Sequence, residues 1–213
     1  MGRRALPKVD QTIDVSAHHV FLDDLPCPLD VEAFFARSAP LEIELGSGKG
    51  LFMLNASRNN PDRDYLGVET AKKYAQYAAY RFAKADLTNA RMVSGDGIRL
   101  MDEFIPDEVA AAVHVYFPDP WWKERHRRRR IMQPDVVKNI ERVLISGGEF
   151  QFWTDVEEYF ETAMELMAAE TKLQGPFEVP ETAASDDMDY RTHFERRMRL
   201  NDHPVFRSRF VKA

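Results

Sequence analysis

The sequence predicts an α/β protein with a mostly parallel, doubly wound sheet of seven strands, completed by a C-terminal antiparallel hairpin strand. Three observations carry that prediction. Strand-length apolar runs alternate with segments of helical apolar spacing five times from residue 41 onward, and such βα units close into a parallel sheet with right-handed crossovers. Residues 110–117, Ala-Ala-Ala-Val-His-Val-Tyr-Phe, are apolar almost throughout, as befits a central strand covered on both faces. Beyond Gly175-Pro176 the pattern changes: residues 177–179 and either 194–200 or 205–211 read as strands with no helix between them, which suits a terminal hairpin.

Each element follows from local chemistry. Residues 1–30 hold no sustained period and are interrupted by Pro7, Pro26 and Pro28, so an irregular arm is expected ahead of one domain over 31–213. A short helix over 31–37 leads to Leu41-Glu-Ile-Glu-Leu45, which stops in Gly46-Ser-Gly-Lys-Gly50. Glycines suit a loop whose backbone approaches a ligand or takes up positive φ, and the helix predicted over 51–59 makes this a cradle. Asn59-Asn60-Pro61-Asp62 ends that helix. A second strand over 64–69 ends in Glu69, and Tyr74, Tyr77, Ala78, Arg81 and Phe82 give an amphipathic helix over 71–85. A third strand over 90–96 ends in Asp96, and the central strand stops at Pro118-Asp119-Pro120. Pro134 opens a helix expected to run to 145, with Gly147-Gly148 as its stop; a fifth strand over 149–155 and a helix over 156–173 follow.

Bulk properties narrow the class. With 213 residues, 44 % of them hydrophobic, and no linker-like tract, a single domain is expected. No apolar run approaches the roughly 18 residues of a membrane span, and the basic opening lacks the apolar segment of a secretory signal. The lone Cys27 forbids an intramolecular disulfide and suits a reducing cytoplasm. The net charge of −6 argues against indiscriminate nucleic-acid coating, yet residues 123–130 hold six cations against one acid and 191–213 seven against two. A basic face is therefore expected on an acidic molecule.

A Gly-rich first turn alone leaves several nucleotide-binding classes open. The dinucleotide pattern G-x-G-x-x-G requires glycine where Leu51 stands, and the P-loop requires Ser or Thr where Gly50 stands. Glu44, Glu69 and Asp96 gather at the carboxyl edge where ligands bind in such sheets, and their charge would repel a polyphosphate. S-adenosylmethionine carries a sulfonium, an ammonium and a ribose diol, which suits such acids. No His/Cys cluster has metal-ligand spacing, so no metal is expected. His114, midway along the central strand, reads as a satisfied core histidine.

Taken together, Glu-Ile-Glu-Leu-Gly-Ser-Gly-Lys-Gly (42–50), Gly-Val-Glu (67–69), Asp96, Phe-Pro-Asp-Pro-Trp-Trp-Lys (117–123) with its arginines, Trp-Thr-Asp (153–155) and Thr-His-Phe-Glu (192–195) closely resemble the tRNA (guanine-N7-)-methyltransferases of bacterial type, from about residue 40 to the C-terminus. The resemblance implies a class I S-adenosylmethionine-dependent, Rossmann-like fold that methylates N7 of a guanine in the variable loop of tRNA. It implies that Glu44, Gly46, Glu69, Asp96 and Asp119 contact S-adenosyl-L-methionine, with Asp119 also at the active site. Lys123, Asp155, Thr192, His193, Phe194 and Glu195 would bind substrate, and Arg125, His126, Arg127, Arg128, Arg129 and Arg130 would contact the RNA. It transfers no role to residues 1–30. A cytoplasmic monomer or homodimer without an obligatory protein partner is expected.

The chemistry so implied needs alignment more than proton transfer. Guanine N7 is unprotonated at neutral pH and can displace a sulfonium methyl directly, so no general base is required. Placing the reacting atoms in line lowers the barrier, and a carboxylate such as Asp119 suits the positive charge the product acquires or the donor edge of the base. The target base must be extruded or caught in a flexible loop, and Trp121 and Trp122 stand where a stacking surface would help. A methyltransferase of the same fold acting on a protein or small molecule is disfavoured by the Arg-rich segment. An inactive RNA-binding relative is disfavoured by Glu44, Glu69 and Asp119.

Overall fold

The computed structural model of the chain describes residues 6–181, 183, 186 and 190–213, with the side chains of Glu124, Arg127 and Arg128 outside the description. One sheet of eight strands, in the order β1-β4-β3-β2-β5-β6-β8-β7, forms the middle layer. The strands are β1 (His19–Phe21), β2 (Leu41–Leu45), β3 (Asp64–Glu69), β4 (Ala90–Ser94), β5 (Ala110–Tyr116), β6 (Leu144–Thr154), β7 (Gln174–Glu178) and β8 (Phe206–Val211). Pairings are parallel from β1 to β6, and β8 runs antiparallel to both β6 and β7. The helices are α1 (Val31–Phe35), α2 (Leu51–Asn59), α3 (Lys72–Lys84), the short α4 (Gly97–Arg99) continued by a π turn to Phe104, α5 (Pro134–Val143), α6 (Glu157–Glu170) and α7 (His193–Arg199).

The alternation of each strand sends its side chains to two separate cores. On one face Ile43, Leu66, Val68, Val113, Val115, Phe150 and Phe152 pack with α5, α6 and the arm residues Leu22, Leu25 and Leu29. On the other, Tyr65, Met92, Tyr116 and Trp153 meet Phe52 and Met53 of α2 and Ala75, Ala78 and Phe82 of α3. In α5, Val136, Val137, Ile140 and Val143 are all but inaccessible, and each such side chain contributes about 1.5–3 kcal/mol of burial. Small Ala75, Ala78 and Ala79 let α3 lie close to the sheet.

The sheet has one strand more than the seven the sequence predicts. His19–Phe21, within the arm expected to be irregular, pairs in parallel with Met92 to Ser94; three residues are too few to show a period. Two further differences have local causes. Helix α5 ends at Val143, where Leu144 is already extended, and Gly147-Gly148 lie inside β6 at a bulge between the pairs Ala110↔Leu144 and Ala112↔Glu149. A Cβ on Gly148 would come within 2.8 Å of the Ile145 carbonyl oxygen, so the pair serves the bulge and not a helix stop. Residues 194–200, read as a possible strand, fall in α7 (His193–Arg199) and its C-cap Leu200. There Thr192 Oγ1 accepts from Glu195 N at 3.0 Å, and the Thr-x-x-Glu capping signal overrides a weak alternation.

Candidate functional site

The parallel strands present their carboxyl ends along one edge, and β2, β3, β4 and β5 are adjacent there. Strand β2 runs into Gly46, Gly48 and Gly50, all at positive φ. Their jobs differ. A Cβ on Gly46 or Gly48 would meet nothing within 4 Å, so this backbone faces open space, whereas a Cβ on Gly50 would lie 2.7 Å from Ala78 Cβ. Gly50 lets α2 pack on α3; Gly46 and Gly48 leave the cradle clear.

Glu44 lies under that cradle, 4 % exposed, with Oε2 lacking any hydrogen-bond partner. Burial, reinforced by the nearby charge of Glu69, pushes its pKa up to about 8. A buried carboxylate left unsatisfied is costly unless a cationic ligand completes it. Glu69 is anchored: Oε2 accepts from Gly48 N at 3.0 Å and Oε1 from Ala71 N at 2.7 Å, so it ties the glycine loop to the start of α3. Asp96 is exposed and caps α4, accepting from Ile98 N at 2.8 Å. Asp119 is exposed in the loop after β5. Four neighbouring strands thus each bring a carboxylate to one edge.

The loop that carries Asp119 is held in a strained shape. Phe117 and Trp121 have φ of 50° and 44°, a region that costs a non-glycine residue about 1–3 kcal/mol and persists where the surroundings dictate it. Phe117 N donates to Trp153 O at 2.8 Å and its ring meets Phe194 at 5.0 Å. Farther along, Arg130 Nε donates to Pro120 O at 2.7 Å, with its guanidinium over the Tyr159 ring. Arg130 is only 6 % exposed; it braces the loop from within and does not join the outward-facing arginines. Residues Glu124–Arg129 form a 3₁₀ helix. Lys123, Arg125 and Arg129 are exposed, and His126 is half-buried against Trp121, over which Arg129 also lies. The side chains of Arg127 and Arg128 lie outside the described residues. Trp122 is 63 % exposed, while Asp155 is half-buried at the end of β6.

The Thr192–Glu195 segment splits by role. Phe194 packs on Phe117, and His193 is exposed. Thr192 caps α7. Glu195, 3 % exposed, turns inward: it accepts from Arg191 N at 2.7 Å and pairs with Arg199 and Arg207. It is a clamp between α7 and β8.

Motif reading gave no role to Arg191, which sits over the Phe52, Tyr116 and Trp153 rings and donates to Tyr116 Oη at 3.1 Å. Beyond it, Tyr116 Oη lies 2.9 Å from His114 Nδ1, and His114 Nε2 lies 2.8 Å from Glu42, which also accepts from Arg63 at 2.9 Å. Burial lowers the His114 pKa despite Glu42. Burial alone would raise Glu42, but His114 and Arg63 outweigh it and hold that carboxyl below the usual range. An ionised Glu42 only accepts, so Nε2 of His114 carries a proton; burial favours the neutral ring, and Nδ1 then accepts from Tyr116 O–H. The core histidine is therefore one link in a directional chain that ends at Arg191. A cavity of about 580 Å³ borders this chain at Glu42, His114, Gln151 and Arg191.

Among the described residues no group of His, Cys, Asp or Glu could hold a metal ion, and no helix is long and apolar enough to cross a membrane. Residues 38–208 match a family model described as "Putative methyltransferase". A tRNA (guanine-N(7)-)-methyltransferase of Rhodopirellula baltica is 44 % identical across 97 % of this chain and 79 % of its own length. One of Aeromonas hydrophila is 32 % identical across 87 % of this chain and 78 % of its own. Among solved structures, the 16S rRNA methyltransferase KamB superposes with a TM-score of 0.61 at 17 % identity, covering 85 % of this chain and 92 % of its own, so the layered sheet is the class I methyltransferase fold. With an open glycine cradle over a buried carboxylate and relatives alike over most of their length, the chain belongs to the tRNA (guanine-N(7)-)-methyltransferase family.

Proposed function

We propose that the chain transfers a methyl group from S-adenosyl-L-methionine to N7 of a guanine in the variable loop of tRNA, in the cytoplasm. The observation that carries the cofactor assignment is the unpartnered, buried Oε2 of Glu44 beneath a glycine loop with open space above it. That donor set fits a cationic amino-acid moiety and would repel a polyphosphate. Glu44 and the backbone at Gly46 would hold the methionine end, Glu69 the ribose hydroxyls, and Asp96, next to the exposed Ile98, the far end of the nucleoside. When bound, S-adenosyl-L-methionine supplies an electrophilic methyl on a positively charged sulfur.

The reaction needs one bond made and one broken. The N7 lone pair forms the new N–CH₃ bond, the old bond's electrons leave with sulfur, and no proton moves. The protein therefore has to orient and to stabilise charge. Asp119 projects from the braced loop beside the cradle and would face the guanine, stabilising its developing positive charge or accepting from its N1–H and N2–H groups. Lys123, Asp155, Thr192, His193 and Phe194 would bind the substrate around that position, and Arg125 to Arg129 would meet the phosphates. Such contacts add affinity and salt dependence but do not select a base. Arg130 and Glu195 support the site from behind.

The test is incubation of unmodified tRNA with methyl-labelled S-adenosyl-L-methionine, followed by mapping of the product. Label at guanine N7 in the variable loop is the expected result. Label in protein alone, or cofactor binding without transfer, would overturn it.

A further inference from the structure

The acid-free surface of α2 and α3 is not needed to bind the cofactor or to place Asp119. Residues 46–61 hold Lys49 and Arg58 with no acid, and α3, Lys-Lys-Tyr-Ala-Gln-Tyr-Ala-Ala-Tyr-Arg-Phe-Ala-Lys, holds Lys72, Lys73, Arg81 and Lys84 with none. In a chain of net charge −6, six cations on two segments that each lack an acid are a marked local excess. Many cations elsewhere are paired, as in Arg37–Asp64, Arg99–Glu103, Lys138–Glu170, Arg142–Asp107 and Arg209–Glu149. Among the described residues none of the six cations of this face forms an ion pair. The acids that flank these helices lie at their ends or on the arm: Glu69 holds Gly48 and Ala71, Asp62 and Asp86 follow the two helices, and Asp10 of the arm, which feels the charge of Lys84, is hydrogen-bonded to Thr12.

Aromatic rings are interleaved with these charges. Tyr74, Tyr77 and Tyr80 recur at a spacing of three along α3, with the Tyr77 and Tyr80 rings 6.3 Å apart. Between this row and the arm runs a groove of about 420 Å³, lined on the helix side by Lys73, Gln76, Tyr77 and Tyr80 and on the arm side by Pro7, Val9, Ile13 and one acid, Asp10. The groove has the size of one nucleotide, with rings for a base and Gln76 for its polar edge. From Lys72 to Lys84 the helix spans about 18 Å, close to half a turn of duplex. The surface is joined to the cradle, since Arg81 Nη1 donates to Lys49 O at 2.8 Å and Lys49 lies over the Tyr74 ring.

Resting on the tRNA reading above, we propose that this face is a second docking site for the substrate RNA, its lysines holding the phosphates on either side of an unpaired nucleotide whose base stacks in the groove over Tyr77 and Tyr80. Charge without opposing acids supplies salt-dependent, sequence-tolerant attraction, and rings between the charges supply stacking. This is distinct from the arginines behind Asp119, which lie across the cradle.

Two variants separate the contributions. Lys72→Gln/Lys73→Gln/Lys84→Gln is expected to weaken tRNA binding by about tenfold or more near 0.15 M salt and to flatten the slope of log Kd against log salt by about 2–3. Tyr77→Leu is expected to weaken binding severalfold with the salt slope unchanged. Both should retain the parent's S-adenosyl-L-methionine affinity and its kcat at saturating tRNA, which shows that the fold is intact. A triple variant with parental Kd and slope overturns the phosphate site; a Tyr77→Leu variant with parental Kd overturns the stacking groove. Failure of the underlying tRNA reading is separately visible, as absence of methyl transfer by the parent protein itself.

Discussion

Glu44 illustrates how one side chain can be costly to the fold and necessary to the site. Its carboxyl sits at about 8 against an ordinary 4.5 because burial disfavours the charge. The sign of the linkage follows: a carboxyl whose folded pKa is raised favours folding while protonated, so its contribution is complete below about pH 4.5 and is lost as pH rises toward 8. Glu44→Gln is therefore expected to raise the Tm of the cofactor-free protein by about 5 °C or more at pH 8.5 and to leave it unchanged at about pH 4, measured by differential scanning calorimetry. The same variant should bind S-adenosyl-L-methionine at least about tenfold more weakly, a loss of roughly 1.4 kcal/mol. In the parent, a cationic ligand selects ionised Glu44, so calorimetric titration at pH 7 in buffers of different ionisation enthalpy should register release of close to one proton. Asp119→Asn is expected to lower kcat by more than tenfold, about 1.4 kcal/mol, with little change in the thermal midpoint of so exposed a residue. A smaller loss would remove Asp119 from the reaction.

At the scale of elements, the site is a consequence of how loops are braced. The Phe117–Trp121 turn departs from relaxed backbone at two residues, and α7 and Arg130 hold it from opposite sides through Phe194 and Pro120. Glu195 anchors α7 by pairing with Arg199 and Arg207. Glu195→Ala is expected to destabilise the protein by about 1–3 kcal/mol, since Arg199 and Arg207 lose one buried partner and keep Glu181; chemical denaturation measures it. Ile140→Ala in α5 is expected to cost about 2–5 kcal/mol as a core cavity while leaving KM for tRNA and cofactor unchanged, which separates loss of stability from loss of the site. Both elements show how a motif is read only in part from its letters. Thr-His-Phe-Glu was legible as a functional signature only through its family resemblance, and only the fold turns Glu195 inward to Arg207, 12 residues away. Its capping-box spacing was the local sign that α7 is a helix.

Across the whole molecule, charge is sorted by face. Ion pairs tie down cations on the strand edges and on α5, α7 and β8, while Lys72, Lys73 and Lys84 of α3 and Lys123, Arg125 and Arg129 after Asp119 stay exposed. Arg125→Ala/Arg129→Ala is expected to weaken tRNA binding at low salt and to reduce the salt slope by about 2, read by filter binding across a salt series. Parental affinity in that variant would exclude these two arginines from the RNA interface. The sorting explains how an acidic protein serves an anionic substrate: net charge sets solubility, and local potential sets association.

What the sequence determined by itself is what short-range physics controls. Alternation, helical spacing and continuous apolar runs foretold the βα succession, and in a parallel sheet that succession forces the glycine loop and the acids Glu44, Glu69, Asp96 and Asp119 to a common edge. Tertiary structure alone decided which polar residues face that edge and which face the core. Glu42, His114, Tyr116 and Arg191 are up to about 150 positions apart in sequence, and their hydrogen-bonded chain exists only because β2 lies against β5 and the α7 entry folds over both. Arg130, the last of an otherwise uniform basic run, is separated from its neighbours by the same cause: burial depends on where the backbone leaves the loop, and no feature of composition records that.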